Sequence, residues 1–145
     1  MSAREDIAKN IVEQLENMTD PAPGKVSRVF FDVQKLAITQ FPAILVVTNN
    51  ETRTDVSMNA REGVISYELR CYVRGTEVDT LRNEIIERIE ETLEVSRDRD
   101  ITISTSNIHN VKTQISNIDV IERELPLGEV VVNVDVKYQY KKGVL

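Results

Sequence analysis

Cys71 and His109 are the only cysteine and histidine of the chain, and a thiol with an imidazole is the simplest nucleophile and base that it could assemble. Cys71 falls in the alternating run Ile65, Tyr67, Leu69, Cys71, Val73, on the apolar face, where a small buried thiol is the expected occupant. His109 lies in a polar stretch between Asn107 and Asn110 and reads as a surface-loop residue. Asp98 and Asp100 flank Arg99, with Arg97 alongside. A calcium loop needs several oxygen ligands at fixed spacing and a glycine for its turn, and these arginines would repel the ion. The run is read as a solvated turn. Glu84, Glu87, Glu90 and Glu91 lie on the polar side of a helical pattern, with no pocket to separate the pKa values of an acid and a base. No P-loop, dinucleotide fingerprint, HExxH or CxxC pattern occurs. The residues therefore supply no catalytic, cofactor or metal site, and the chain is expected not to be an enzyme.

The balance of the composition points the same way. The chain has 145 residues, 41% of them hydrophobic, which suits one α+β domain spanning 1–145 with its own core. Its net charge is −6, and duplex DNA is gripped mainly by Lys and Arg contacts to phosphate. Such a chain is a poor DNA clamp, although it could line a passage for nucleic acid. Only 5% of residues are aromatic and there is no Trp, so stacking platforms are scarce. One cysteine excludes an internal disulfide framework and fits a reducing compartment. No signal-peptide h-region opens the sequence, and its apolar runs are far shorter than a membrane span, so a soluble chain without membrane contact is expected.

Hydrophobic periodicity orders the elements. Ser2 and Glu5 have capping-box spacing, and Ile7, Ile11, Leu15 and Met18, widened by Val12, form a helical stripe that Asp20-Pro21-Ala22-Pro23-Gly24 ends. A strand is expected over Val26 to Phe31, a connection with a helical turn over Asp32 to Gln40, and a central strand from Ala43 to Thr48 behind Pro42. The half-buried strand through Val73 follows. Val78, Leu81, Ile85, Ile89 and Leu93 then mark a second helix, with Glu84 and Arg88 spaced for an i,i+4 pair. Ser96 to Asp100 reads as a charged turn, with strand signals at Ile101 to Ser104 and, less regularly, Val111 to Ile121. Val130, Val132, Val134, Val136, Tyr138 and Tyr140 share one face of the last strand. The fold class is α+β: a mostly antiparallel sheet with two main helices packed on one face and a long protruding β-hairpin.

That hairpin is the polar excursion from Asn49 to Glu62. Asn49, Asn50, Glu51, Arg53, Asp55, Arg61 and Glu62 carry both charge signs, while Val56 and Met58 are isolated apolar residues near its middle. One reading is a mobile loop. The other is an assembly arm, in which apolar residues meet a neighbour and opposite charges pair between copies.

The order of a short N-terminal helix, a strand, Phe41-Pro42-Ala43-Ile44 entering a central strand, the long hairpin, the alternating strand to Val73, the helix with Leu81, Ile85 and Ile89, and a closing strand ending in Tyr138 and Tyr140 resembles the tail terminator, or tail completion, proteins of long-tailed bacteriophages and related contractile particles. The resemblance spans nearly the full chain through element order and apolar positions. It implies a virion protein of the tail neck, assembled in the host cytoplasm, with no catalytic residues or cofactor. It implies a ring, typically of six copies, that sits on the tail tube, stops its growth and offers a surface to the head connector. In contractile tails it also implies contact with the sheath protein. The same resemblance implies that Asn49 to Glu62 belongs to a subunit interface or to the lumen. Six copies at −6 each would carry on the order of −36, and DNA would pass such a lumen without sticking. A neck or head-completion protein is a second reading. A small ligand-binding module or enzyme with an unrecognised pocket is a third.

Overall fold

Ile7, Ala8, Ile11 and Leu15 recur at helical spacing along Ala3–Glu16 and are buried, so helix α1 forms with one stripe against the sheet. Met18 extends the stripe beyond the last turn. The computed structural model describes residues 3–55, 60–95, 99–102 and 107–141. Ser2, half of the expected capping box, lies outside them. Helix α2, Val78–Val95, buries Val78, Ile85, Ile89 and Leu93 on the same side of the sheet and packs against α1. Each fully buried side chain of this size contributes about 1.5–3 kcal/mol, so these two stripes alone hold both helices in place.

The strands are β1 (Lys25–Ser27), β2 (Ala43–Asp55), β3 (Ala60–Arg74), β4 (Arg99–Thr102), β5 (Asn107–Ile121) and β6 (Leu127–Lys141). They form one six-stranded sheet in the order β1-β2-β3-β6-β5-β4, and only the β1–β2 pair is parallel. The expected α+β class is therefore the observed one. Strands β3 and β6 pair along their whole length, from Ala60↔Lys141 to Arg74↔Leu127, and their inward residues Ile65 to Val73 and Val130 to Tyr138 floor the core beneath the helices. The side chain of Tyr140 is outside the described set.

Four local expectations change. The first strand ends at Ser27 rather than Phe31, because the Ser27 hydroxyl donates to the Val29 carbonyl at 2.9 Å and accepts from the Val29 N–H at 3.0 Å. Those local bonds replace ladder partners and turn the chain off the sheet edge, leaving Val29 and Phe30 exposed. The segment then folds back through two 3-10 turns, Val33–Lys35 and Ile38–Gln40. Its Val33, Phe31 and Leu36 build a second small core with Ala43, Leu45 and Tyr72, where Phe31 meets the Tyr72 ring edge-on at 5.8 Å.

Strand β5 begins at Asn107, so the His109 backbone is paired opposite Gln139 in the sheet instead of lying in a loop. Arg99 and Asp100 likewise belong to β4, while 97 and 98 lie outside the described residues. Arg88 does not take Glu84. It donates twice to the Asp20 carbonyl, at 3.1 and 3.0 Å, and to Glu91 at 2.6 Å, which ties α2 to the end of the α1 linker.

Candidate assembly surface

A single extra residue sets the geometry of the hairpin. Register runs Val46↔Leu69, Thr48↔Tyr67, then jumps to Glu51↔Ile65, so β2 advances three residues while β3 advances two. This is a β-bulge at Asn49–Asn50, and it exchanges the two faces of every later β2 residue. Glu51, Arg53 and Asp55 consequently turn toward the helix side, whereas Thr52 and Thr54 take the outer side.

Glu51 thus enters the protein. Its side chain is only 10% exposed, accepts a hydrogen bond from the Tyr138 hydroxyl at 3.1 Å, pairs with Arg53, and has Arg4 Nε of α1 at 3.4 Å. Two guanidinium groups and a hydroxyl compensate the removal of this carboxylate from water. Tyr138 reaches it by lying across Gly63, its cross-strand partner in β3. A Cβ at Gly63 would sit 2.6 Å from the Tyr138 ring, so the absent side chain is what admits the tyrosine.

The other arm residues divide by position. Asn49 and Asn50 are exposed at the bulge; Asp55 is exposed and pairs with half-buried Arg61 at 2.9 Å; Glu62 is half-buried on the outer face opposite Thr54 and Gln139. Val56 and Met58 lie outside the described residues. Within this polar arm the bulge turns Glu51 inward. Strand β6 also flanks β3 as far as Ala60, so the described part of the arm continues the sheet. Sequence reasoning missed Arg4 and Gly63, although a lone glycine in an alternating strand is the usual sign of a close approach.

The remaining chemical candidates separate in space. Cys71 is fully buried, its Sγ lies 3.6 Å from the Leu69 carbonyl, and burial raises the thiol pKa with a smaller contribution from Glu129. On β6 its partner is Val130, and that of His109 is Gln139. Nine residues of strand place those backbones about 30 Å apart, so Cys71 and His109 form no pair. Glu5 is held below the usual carboxylate range, first by the bidentate Arg28 hydrogen bonds at 2.6 and 3.0 Å. Tyr67 is pushed up, chiefly by burial, and its hydroxyl has no hydrogen-bond partner among the described residues.

A cleft of about 160 Å³ between the Ile38–Pro42 segment and α2 is lined by Pro21, Ile38, Phe41, Val73 and Leu81; small-molecule sites run to roughly 300–1,000 Å³. No group of three or more His, Cys, Asp or Glu suited to a metal occurs among the described residues. No described helix is long and apolar enough to cross a membrane.

No family model matches the chain, and no curated protein matches it. A solved structure does. A chain from the "Virion of native gene transfer agent (GTA) particle" superimposes with a TM-score of 0.57 over 96% of this chain and 98% of that one, at 8% identity. At that identity the likeness is one of fold.

Exposed apolar residues mark further surface. Val29 and Phe30 stand beside β1, and Val120, Ile121 and Leu125 lie at and beyond the end of β5. Neither group belongs to the hairpin.

Proposed function

We propose that this chain is a structural virion protein: a tail terminator that forms a ring, of about six copies, on the end of a tail tube, stops its polymerisation and presents a surface to the head connector. The observation that carries the reading is the fold shared with a chain of a gene transfer agent virion over 96% of this sequence. The order of elements, which resembles tail terminators, supports the finer assignment. A tube grows through head-to-tail contacts that do not close along its axis, so stopping it needs a ring that matches the tube on one face only.

The acidic chain suits such a position. At −6 per copy a ring repels DNA and lets it slide, while interactions with tube, connector or sheath remain local contacts. Within the hairpin, Asp55 is the exposed acidic residue that would face a lumen, since Glu51 is engaged beneath α1.

The test is to polymerise the cognate tail tube protein with and without this chain and measure tube lengths by negative-stain microscopy. A terminator shortens the length distribution and leaves a cap density at one end. Tubes of unaltered length, with the chain instead bound to isolated connectors, identify a neck or head-completion protein.

A further inference from the structure

We infer that the outer face of the sheet carries an anion-recognising depression, centred on Lys112 and Lys137, that takes carboxylate side chains from an acidic segment of a partner protein. Helices α1 and α2 cover the inner face, and the second small core covers the outer face around Ala43, Leu45 and Tyr72. Toward the hairpin the outer face holds a depression of about 230 Å³, lined by Lys112, Lys137, Gln114, Asp135 and Val64, with both lysines exposed. That volume is short of the roughly 300–1,000 Å³ of small-molecule sites and is on the scale of single side chains. Such a site would act in any assembly that brings this face to another protein, ring or not.

A second bulge creates the lysine pair. Register runs His109↔Gln139 and then Lys112↔Lys137, so β5 advances three residues while β6 advances two. Unbroken pairing would set Val111 opposite Lys137; the extra residue sets Lys112 there, the re-aiming of a side chain that bulges commonly perform. Like charges directly opposite each other across a strand pair are destabilising. The row Thr52–Val64–Lys137–Lys112 contains no acid, and among the described residues neither ammonium has a carboxylate within ion-pair distance, although the chain has 24 Asp and Glu against 18 Lys and Arg. An anion seated between the two ammonium groups removes that repulsion and gains charge-assisted hydrogen bonds from both.

The neighbouring row selects the kind of anion. Gln114 lies opposite Asp135, whose Oδ1 accepts from the Ser66 hydroxyl at 2.9 Å while Oδ2 has no hydrogen-bond partner among the described residues. The backbone of DNA brings acceptors only, and its phosphates would meet Asp135, Glu62 and Glu68 on the same face. A peptide brings both kinds of group: carboxylates for the two lysines and backbone N–H donors for Asp135 and Gln114. The mixed lining therefore fits an acidic peptide better than a nucleic-acid backbone.

Fluorescence anisotropy of a fluorescein-labelled oligoglutamate peptide, titrated with the full chain at low salt, tests this. Lys112→Gln and Lys137→Gln should each weaken binding roughly two- to fivefold, the range of one exposed ion pair, and together roughly tenfold or more. Lys35→Gln, which alters an exposed lysine outside the depression, should leave binding unchanged. The double variant should melt no lower than the parent, because the like-charge contact is gone, so its lost binding is not lost folding. Equal weakening by Lys35→Gln reduces the effect to overall charge and overturns the site. A labelled DNA duplex that binds more tightly than the peptide, and loses binding on the same two substitutions, overturns the acidic peptide in favour of nucleic acid. A parent chain that does not bind the peptide, or a double variant that binds it as the parent does, also overturns the proposal. Tube length is not part of this measurement, so the ring reading stands or falls apart from it.

Discussion

The Tyr138 hydroxyl donates to the Glu51 carboxylate at 3.1 Å, reaching from β6 to β2 across the intervening β3. The reach depends on Gly63, over which the ring lies, and on the bulge that turns Glu51 to the same face. One tyrosine therefore fastens the base of the hairpin to the core, and Arg4 brings the start of α1 to the same carboxylate.

Gly63→Ala is expected to lower stability by about 1–3 kcal/mol, the usual range for overpacking, because a methyl 2.6 Å from a ring forces the ring or the strand to move. Tyr138→Phe keeps the ring and removes only the hydrogen bond, for about 0.5–1.5 kcal/mol. Urea unfolding of both variants checks the order. If Gly63→Ala is as stable as the parent, the ring does not lie where described.

Alkaline titration gives a second test. Burial raises the pKa of Cys71 and Tyr67 in the folded protein, against unfolded values of about 8.5 and 10. Above those unfolded values the unfolded chain holds fewer protons than the folded one. The stability contributed by the neutral groups is complete below pH 8.5 and is lost as pH rises toward the folded values, by at most about 1.4 kcal/mol per pH unit and group. Cys71→Ala should flatten the urea midpoint between pH 8.5 and 10 and leave the tyrosine-linked fall above pH 10. An unchanged slope would show that the thiol titrates freely.

On the acid side the sign reverses. Arg28 holds the Glu5 carboxyl below its usual value, so the contribution of this pair is present above about pH 4.3 and is lost as pH falls through the folded pKa. Glu5→Gln should lower the melting temperature at pH 7, and the gap should narrow as pH falls below about 4.3. A gap that does not narrow with falling pH would mean that the substitution acts through something other than charge. Salt should narrow the gap at pH 7, because both partners lie near the surface.

The legible parts of the fold are those with a period. The stripes of α1 and α2, and the alternation through Ile65–Val73 and Val130–Tyr138, specify which side chains enter the core because burial enforces one face. The bulge at Asn49–Asn50 carries no comparable mark. One inserted residue sends Glu51 inward, and a polar run has no apolar face to reveal the exchange. Ser27 is similar: two short hydrogen bonds to Val29 end β1 inside an apolar run that reads as strand. Strand β5 begins early because β6 supplies a partner for a polar stretch, a tertiary cause invisible in local propensity.

The hairpin itself can be divided by design. Replacing residues 55–61 with Asn-Gly keeps the Thr54↔Glu62 pair and closes β2 and β3 with a two-residue turn suited to that dipeptide. Glu51, Gly63 and Tyr138 are untouched, so unfolding free energy should stay within about 1 kcal/mol of the parent, allowing for the lost Asp55–Arg61 pair. What remains is the core end of the sheet without its tip. If the tip meets the tube or a neighbouring subunit, the shortened chain should fold normally yet fail to limit tube length. If it lies in the lumen without contacts, the chain should cap tubes normally, and an Asp55→Lys variant of the full hairpin should instead slow DNA release. Normal capping by the shortened chain together with normal release by Asp55→Lys would leave the tip with no part in assembly.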